Sequence, residues 1–212
     1  MKKIAKIFTL LGTAFFLQAG IPGDEESVPL RFEDGPLLTA GIAHGEDLPA
    51  WRYDVDEATR DDTMAFNIYI GKSMQSFLDD FKKDGWTRMK DDNAVLFMKE
   101  KKGYMMIVAV HPHKDNKNLV GNYRIRFFTK TREDADEMYM RAEKNFAYNF
   151  GRPNVKKGTS NVTWFLNDTL SIVVEYNEYD TRMALVRGYP YEIVVKRDMG
   201  DFRKFFATDS QG

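Results

Sequence analysis

Apolar and polar residues alternate along several stretches of the chain, and apolar residues between those stretches recur with helical spacing. In the first alternating stretch, Met64, Phe66, Ile68 and Ile70 are separated by smaller or polar neighbours. A period of two residues is typical of a strand that buries one face. This stretch therefore predicts a β-strand at the start of a folded body.

The sequence predicts a helix directly after this strand. Four apolar residues recur at positions i, i+3, i+4 and i+7 and form one helical stripe. They are Met74, Phe77, Leu78 and Phe81. Ser73 is a favourable N-cap, and Gly85 suits the left-handed backbone that ends many helices. Two apolar runs follow at residues 94–98 and 104–110, separated by KEKKG, and they predict a strand hairpin.

The second half of the chain repeats this order of elements. A strand is predicted at residues 121–130, and the helix after it has Thr131 and Asp134 at capping-box spacing and ends at Gly151. Further strands are predicted at residues 162–166, 169–176 and 191–195. The predicted fold class is therefore α+β: two β-α-β-β units plus a closing strand, in an antiparallel-rich sheet with both helices on one side.

The two units align at offsets of 66 to 68 residues. The matched pairs are Gly85 with Gly151, Phe97 with Trp164, Ile107 with Val173, and Tyr123 with Tyr191. Few residues are identical and the offset drifts, so two interpretations stay open. One is an internal duplication, and the other is the common rhythm of α+β proteins.

The predicted hairpin at residues 94–98 and 104–110 is apolar on both faces, which indicates that something covers the second face of the sheet. We considered three covers, in this order: Trp51 and its neighbours, a second copy of the chain, and a foreign partner.

Residues 1–19 have the pattern of a secretory signal peptide. Lys2, Lys3 and Lys6 precede an apolar run at residues 7–17 that is too short to span a bilayer, and the small residue Ala19 marks the expected cleavage site. The alternative is a membrane anchor. The chain contains no Cys, so it has no disulfide and no thiolate metal ligand. We expect a bacterial periplasmic or secreted protein.

Residues 20–62 contain four of the seven prolines and twelve Asp and Glu against three Arg. This composition predicts a partly disordered acidic extension, either a solvated linker or a segment that folds back on a more basic body. Within it, Leu48 to Val55 carries Trp51 and Tyr53, and we expect this piece to dock on the body. The predicted duplicated domain spans residues 63–197, and residues 198–212 form a C-terminal tail.

Motifs for catalysis and cofactor binding are weak. His111 and His113 form an H-x-H pair that could hold a metal together with Asp115, but the intervening proline favours a solvated turn. The GKS sequence at residues 71–73 opens a helix, but Phe66 stands where a phosphate-binding loop needs its first glycine. We predict no metal and no cofactor.

No GxSxG or SxxK motif is present, and no cysteine nucleophile. A carboxylate pair stays open as an alternative, because sequence spacing does not define such pairs. The candidates are Asp54, Asp56, Glu175, Glu178 and Asp180.

Arg124, Arg126 and Lys196 are predicted on the strand faces opposite Ile125 and Ile193, where they would form a small positive patch if their strands are neighbours. We expect the patch to contact a protein or an anionic envelope component, and we expect neither nucleic-acid binding nor a stable membrane span after cleavage. The sequence thus favours an exported, non-enzymatic binding module. The alternatives are a metal- or carboxylate-dependent envelope hydrolase and a self-associating structural protein.

Overall fold

A computed structural model describes residues 48–91, 93–158, 160–180, 186 and 188–206. The predicted signal peptide at residues 1–19, and the predicted extension as far as residue 47, lie outside the described residues. The helices are α1 (Trp51–Thr59), α2 (Met74–Lys83), α3 (Arg132–Phe150) and a short 3-10 helix (Arg203–Phe205). The strands are β1 (Met64–Ala65), β2 (Ile68–Tyr69), β3 (Thr87–Met89), β4 (Val95–Lys101), β5 (Tyr104–Pro112), β6 (Val120–Thr129), β7 (Val155–Lys157), β8 (Asn161–Phe165), β9 (Leu170–Glu178) and β10 (Tyr191–Met199).

Eight of these strands form one antiparallel sheet in the order β3-β4-β5-β6-β10-β9-β8-β7. The prediction of an α+β fold with an antiparallel-rich sheet is confirmed. Strands β6 and β10 lie at the centre of the sheet. Strand β6 is the last of the four strands that follow α2, and β10 is the last of the four strands that follow α3. Each half of the sheet is therefore formed by four strands that follow one helix. The sequence pattern missed β3 and β7 because each has only three residues.

The prediction of a single strand from Met64 to Ile70 is wrong. These residues form a separate hairpin in which β1 pairs with β2. Phe66 and Asn67 make the turn, with φ values of 49° and 59°. Two successive residues with positive φ fold the chain back tightly, as in the turns of two-residue hairpins. The apolar alternation continues across the turn, so the pattern does not reveal it.

The main core lies between one face of the sheet and helices α1, α2 and α3. Trp51, Val55 and Ala58 of α1 are buried in it, so the predicted docking of the Leu48 to Val55 segment is confirmed for Trp51 and Val55. Tyr53 is different, with 58% of its surface exposed. Because α1 packs in the same core as the sheet, the folded body begins before residue 63, where we had predicted its start.

Polar contacts join α1 to α3. Arg141 of α3 donates two hydrogen bonds of 2.6 Å to the carboxylate of Asp56, and Asn145 donates to the same carboxylate at 2.9 Å. Asn145 also donates to the hydroxyl of Thr59 at 2.7 Å. Charge-assisted bidentate contacts of this kind fix orientation as well as adding stability.

A second apolar cluster covers part of the other sheet face. Met105, Ile107 and Phe128 are buried there against Tyr189, and Val186 packs at the edge of the cluster. The prediction that Trp51 covers this face was therefore wrong, because Trp51 lies on the helix side of the sheet. Tyr189 and Val186 come from the connection between β9 and β10, which the sequence pattern left unassigned.

The predicted tail at residues 198–212 begins inside the fold. Strand β10 continues to Met199, and Phe205 of the 3-10 helix stacks on Phe165 with ring centroids 3.9 Å apart. Residues 207–212 lie outside the described residues. Within the described segments, no helix is long and apolar enough to cross a membrane.

Candidate binding face of the sheet

The three predicted patch residues lie together on the sheet face that points away from the helices. Arg124 of β6 is directly opposite Lys196 of β10, and Arg126 is opposite Val194. Their strand neighbours Ile125 and Val195 point into the helix-side core. Strand alternation therefore places the basic side chains on the second face, which we call the open face.

Acidic residues on the open face offset most of this positive charge. The guanidinium of Arg126 pairs with Glu192, and the ammonium of Lys196 lies 2.5 Å from the carboxylate of Glu175. The predicted positive patch is therefore a mixed network of alternating charges. The sequence did not identify these partners, because Glu175 and Glu192 come from strands that become neighbours only in the folded sheet.

Glu192 is the centre of this network and is fully buried. Its carboxylate accepts hydrogen bonds from Asn177 at 3.1 Å and from the Tyr179 hydroxyl at 2.6 Å, in addition to the contact with Arg126. Burial and the bond to Glu192 raise the pKa of Tyr179 to about 12, so this hydroxyl remains a donor at neutral pH. These donors hold the buried carboxylate of Glu192 firmly in place. The carboxylate in turn fixes the side chain of Arg126.

Arg124 differs from the other two basic residues. Its Nε atom is buried and has no hydrogen-bond partner among the described residues. Lys196 stands directly opposite, and like charges in that position repel. Burial raises the pKa of Asp198, while the nearby charges of Arg124, Lys196 and His111 act in the opposite direction. The open face thus contains one arginine with an unused donor, beside a carboxylate that burial makes less acidic.

The histidine pair does not form a metal site within the described residues. His113 accepts a hydrogen bond from the backbone N–H of Asp115 at 3.2 Å, as a turn residue does. In the described part of the chain, no group of three or more His, Cys, Asp or Glu is placed to share a metal ion.

Lys72 of the GKS sequence is engaged within the fold. It is 4% exposed, and its Nζ atom donates to the backbone oxygen of Asn67 and to Asp80, each at 2.6 Å. Ser73 accepts from the backbone N–H of Ser76 at 3.4 Å and caps α2. Lys72 therefore stabilises the β1–β2 turn against α2 and does not point toward a phosphate site.

Four of the five predicted carboxylate candidates are held by separate partners, and the pair of Glu175 with Lys196 is described above. Asp54 contacts Lys101 and the Tyr104 hydroxyl, Asp56 contacts Arg141, and Glu178 contacts Arg132. The first two stabilise α1, and Glu178 lies at the end of β9.

Sequence reasoning did not identify Arg197. Arg197 is fully buried on the helix side, where its guanidinium lies 5.4 Å from the ring centroid of Tyr123 and 5.7 Å from that of Phe146. The signal was present, because Arg197 is in phase with Ile193 and Val195 in an alternating strand.

Comparison of the chain with models of protein families, with curated proteins and with solved structures finds no match.

Proposed function

We propose that this chain is an exported bacterial binding module without enzymatic activity, and that it contacts a protein or cell-envelope component through the open face of its sheet. The observation that carries the proposal is the buried, unpartnered Nε atom of Arg124. Buried donors in folded proteins are nearly always paired, so an unpaired one on a central strand needs an explanation.

An acidic group from a partner supplies what Arg124 lacks. A carboxylate or phosphate can accept from the guanidinium in a charge-assisted hydrogen bond. The same group reduces the repulsion between Arg124 and Lys196, which stand opposite each other. Arg126 and Lys196 contribute less, since Glu192 and Glu175 already engage them.

The hydrogen bonds that hold Arg126 beside Arg124 also favour a partner of one particular shape. Glu192 and its donors hold Arg126 in place, and a side chain that is already ordered loses little freedom when a partner binds. A partner with an acidic group in the matching position gains affinity, whereas an acidic group above Glu175 is repelled.

The alternative is a metal-dependent hydrolase with His111 and His113 as ligands. The two functions are separated by elemental analysis of the purified protein together with its retention on envelope fractions. We expect a metal-free protein that is retained on the envelope. A stoichiometric metal that is lost in the His111→Ala variant would favour the hydrolase.

Export is proposed from the Lys-rich and apolar pattern of residues 1–19. We expect the protein in the periplasm or the medium, with a new N-terminus after Ala19. N-terminal sequencing of the protein from fractionated cells tests this, and recovery of the intact chain in the cytoplasm would contradict it.

A further inference from the structure

A groove lies beside α3 on the helix side of the sheet, away from the open face. It is formed by one side of α3 and by residues from the region of β7, β8 and β9, and its volume is about 700 Å³. This volume is within the range of ligand pockets, roughly 300–1,000 Å³. Two aromatic rings meet in it, Tyr139 of α3 and Tyr176 of β9, perpendicular to each other with centroids 6.0 Å apart. We call this surface the tyrosine groove.

Tyr139 lines the tyrosine groove, and its hydroxyl is buried and has no hydrogen-bond partner among the described residues. The whole side chain is 6% exposed. Burial, assisted by the charge of Glu143, raises the pKa of Tyr139 to about 12, so the hydroxyl stays protonated and can donate. A buried hydroxyl without a partner is unfavourable, and a ligand that supplies an acceptor oxygen would relieve it.

The rim of the groove carries two pairs of opposite charge. Arg132 pairs with Glu178, and Lys156 lies 2.8 Å from Glu143. A fifth charged residue, Asp136, also lines the groove. An anionic ligand would meet three carboxylates, and a cationic ligand would meet Arg132 and Lys156. A neutral ligand with many hydroxyl groups can accept from the cations and donate to the carboxylates without separating either pair.

We propose that the tyrosine groove binds an uncharged oligosaccharide, with a sugar oxygen accepting a hydrogen bond from the hydroxyl of Tyr139. The half-exposed ring of Tyr176 then packs against the apolar face of a sugar ring. This site is additional to the open face, since the two lie on opposite sides of the sheet. The chain thus has two binding surfaces, one for an acidic group and one for a neutral glycan.

Calorimetric titration with neutral tetrasaccharides of glucose, xylose, mannose and N-acetylglucosamine tests the proposal, with charged tetragalacturonate in parallel. We expect saturable binding of at least one neutral sugar and weaker binding of the charged one. Tyr139→Phe should weaken binding about tenfold or more, as the loss of one hydrogen bond predicts. Tyr148→Phe is the matched control, because Tyr148 is an exposed tyrosine on the same helix.

Tyr139→Phe removes a hydroxyl that has no partner in the free protein, so the melting temperature should be unchanged or raised. Arg132→Gln, at an exposed rim position, provides a second variant that should also weaken binding. The proposal is overturned if none of the neutral sugars saturates at millimolar concentration. It is equally overturned if Tyr139→Phe and Arg132→Gln bind as tightly as the original protein.

Discussion

The Nη2 atom of Arg197 lies 3.0 Å from the carbonyl oxygen of Ala58, and this contact joins the central strand β10 to the end of α1. The same guanidinium donates to the backbone oxygens of Asp61 and Asp62, at 2.5 Å and 3.0 Å. Carbonyl groups at the end of a helix lack partners within the helix. A positive charge placed there satisfies them and interacts favourably with the helix dipole.

We expect Arg197→Met to destabilise the protein by about 2–4 kcal/mol, because the carbonyl groups that Arg197 engages lose a charged donor. Urea denaturation measures this. Arg203→Met is the control, since Arg203 is exposed and pairs with its near neighbour Asp201. That variant should leave stability almost unchanged, because an exposed ion pair contributes little. Equal stability of the two variants would contradict the structural role of Arg197.

Removal of α1 should expose the helix-side core. A protein that begins at Thr63 loses the buried side chains of Trp51, Val55 and Ala58. Burial of one large apolar side chain contributes roughly 1.5–3 kcal/mol. We expect a lower melting temperature and strong binding of a hydrophobic dye, compared with a protein that begins at Leu48. Identical melting of the two proteins, without dye binding, would show that α1 does not belong to the core.

The contact between Lys72 and Asp80 predicts a dependence of stability on pH. The hydrogen bond from Lys72 lowers the pKa of Asp80 below its ordinary value of 3.8. A carboxyl group with a lowered pKa in the folded state stabilises the protein above its unfolded pKa, and this contribution is lost as pH falls through the folded pKa.

Asp80→Asn should therefore destabilise the protein at neutral pH, and the difference from the original protein should shrink below about pH 4. Denaturation at a series of pH values measures this. The exposed Asp79→Asn variant is the control, since Asp79 accepts a hydrogen bond from Gln75 one turn earlier and has no ion pair with a described residue. A difference that stays constant down to the lowest pH would contradict this role for Asp80.

Arg124→Leu should change the stability of the protein by less than about 1 kcal/mol. Among the described residues its Nε atom has no hydrogen-bond partner to lose, and the change removes both an attraction to Asp198 and a repulsion with Lys196, which offset each other. Thermal denaturation measures this effect. A large loss of stability would mean that Arg124 has a structural role, and the argument for a binding site would fail.

The predictable parts of the fold are those with a sustained local pattern. Helix α3 has a capping residue, an apolar stripe and a terminal glycine, and it forms as expected from Thr131 to Gly151. The patch residues were found because Arg124 and Lys196 alternate with apolar residues on strands that proved to be neighbours. Local pattern therefore predicted both the class of fold and the position of the open face.

Contacts between distant segments were not predictable from the pattern. Glu175 and Glu192 reach the patch through strand order, and Tyr139 meets Tyr176 only when α3 packs on β9. The turn at Phe66 was hidden because a bulky residue with positive φ has no sequence signal. Lys72 fixes that turn from outside it, through the backbone oxygen of Asn67.

Binding of a partner through the open face is best tested by a cross-linking pull-down from the native envelope at low and moderate salt, with the captured proteins identified by mass spectrometry. The pull-down compares residues 20–212 of the original protein with the Arg124→Gln and Arg88→Gln variants. Arg88 is the matched control, since it is an exposed strand arginine opposite the core residue Phe97. We expect one partner whose capture weakens with salt and is lost in Arg124→Gln, but is kept in Arg88→Gln. Equal capture by all three proteins, or no specific partner at either salt concentration, would contradict binding through the open face.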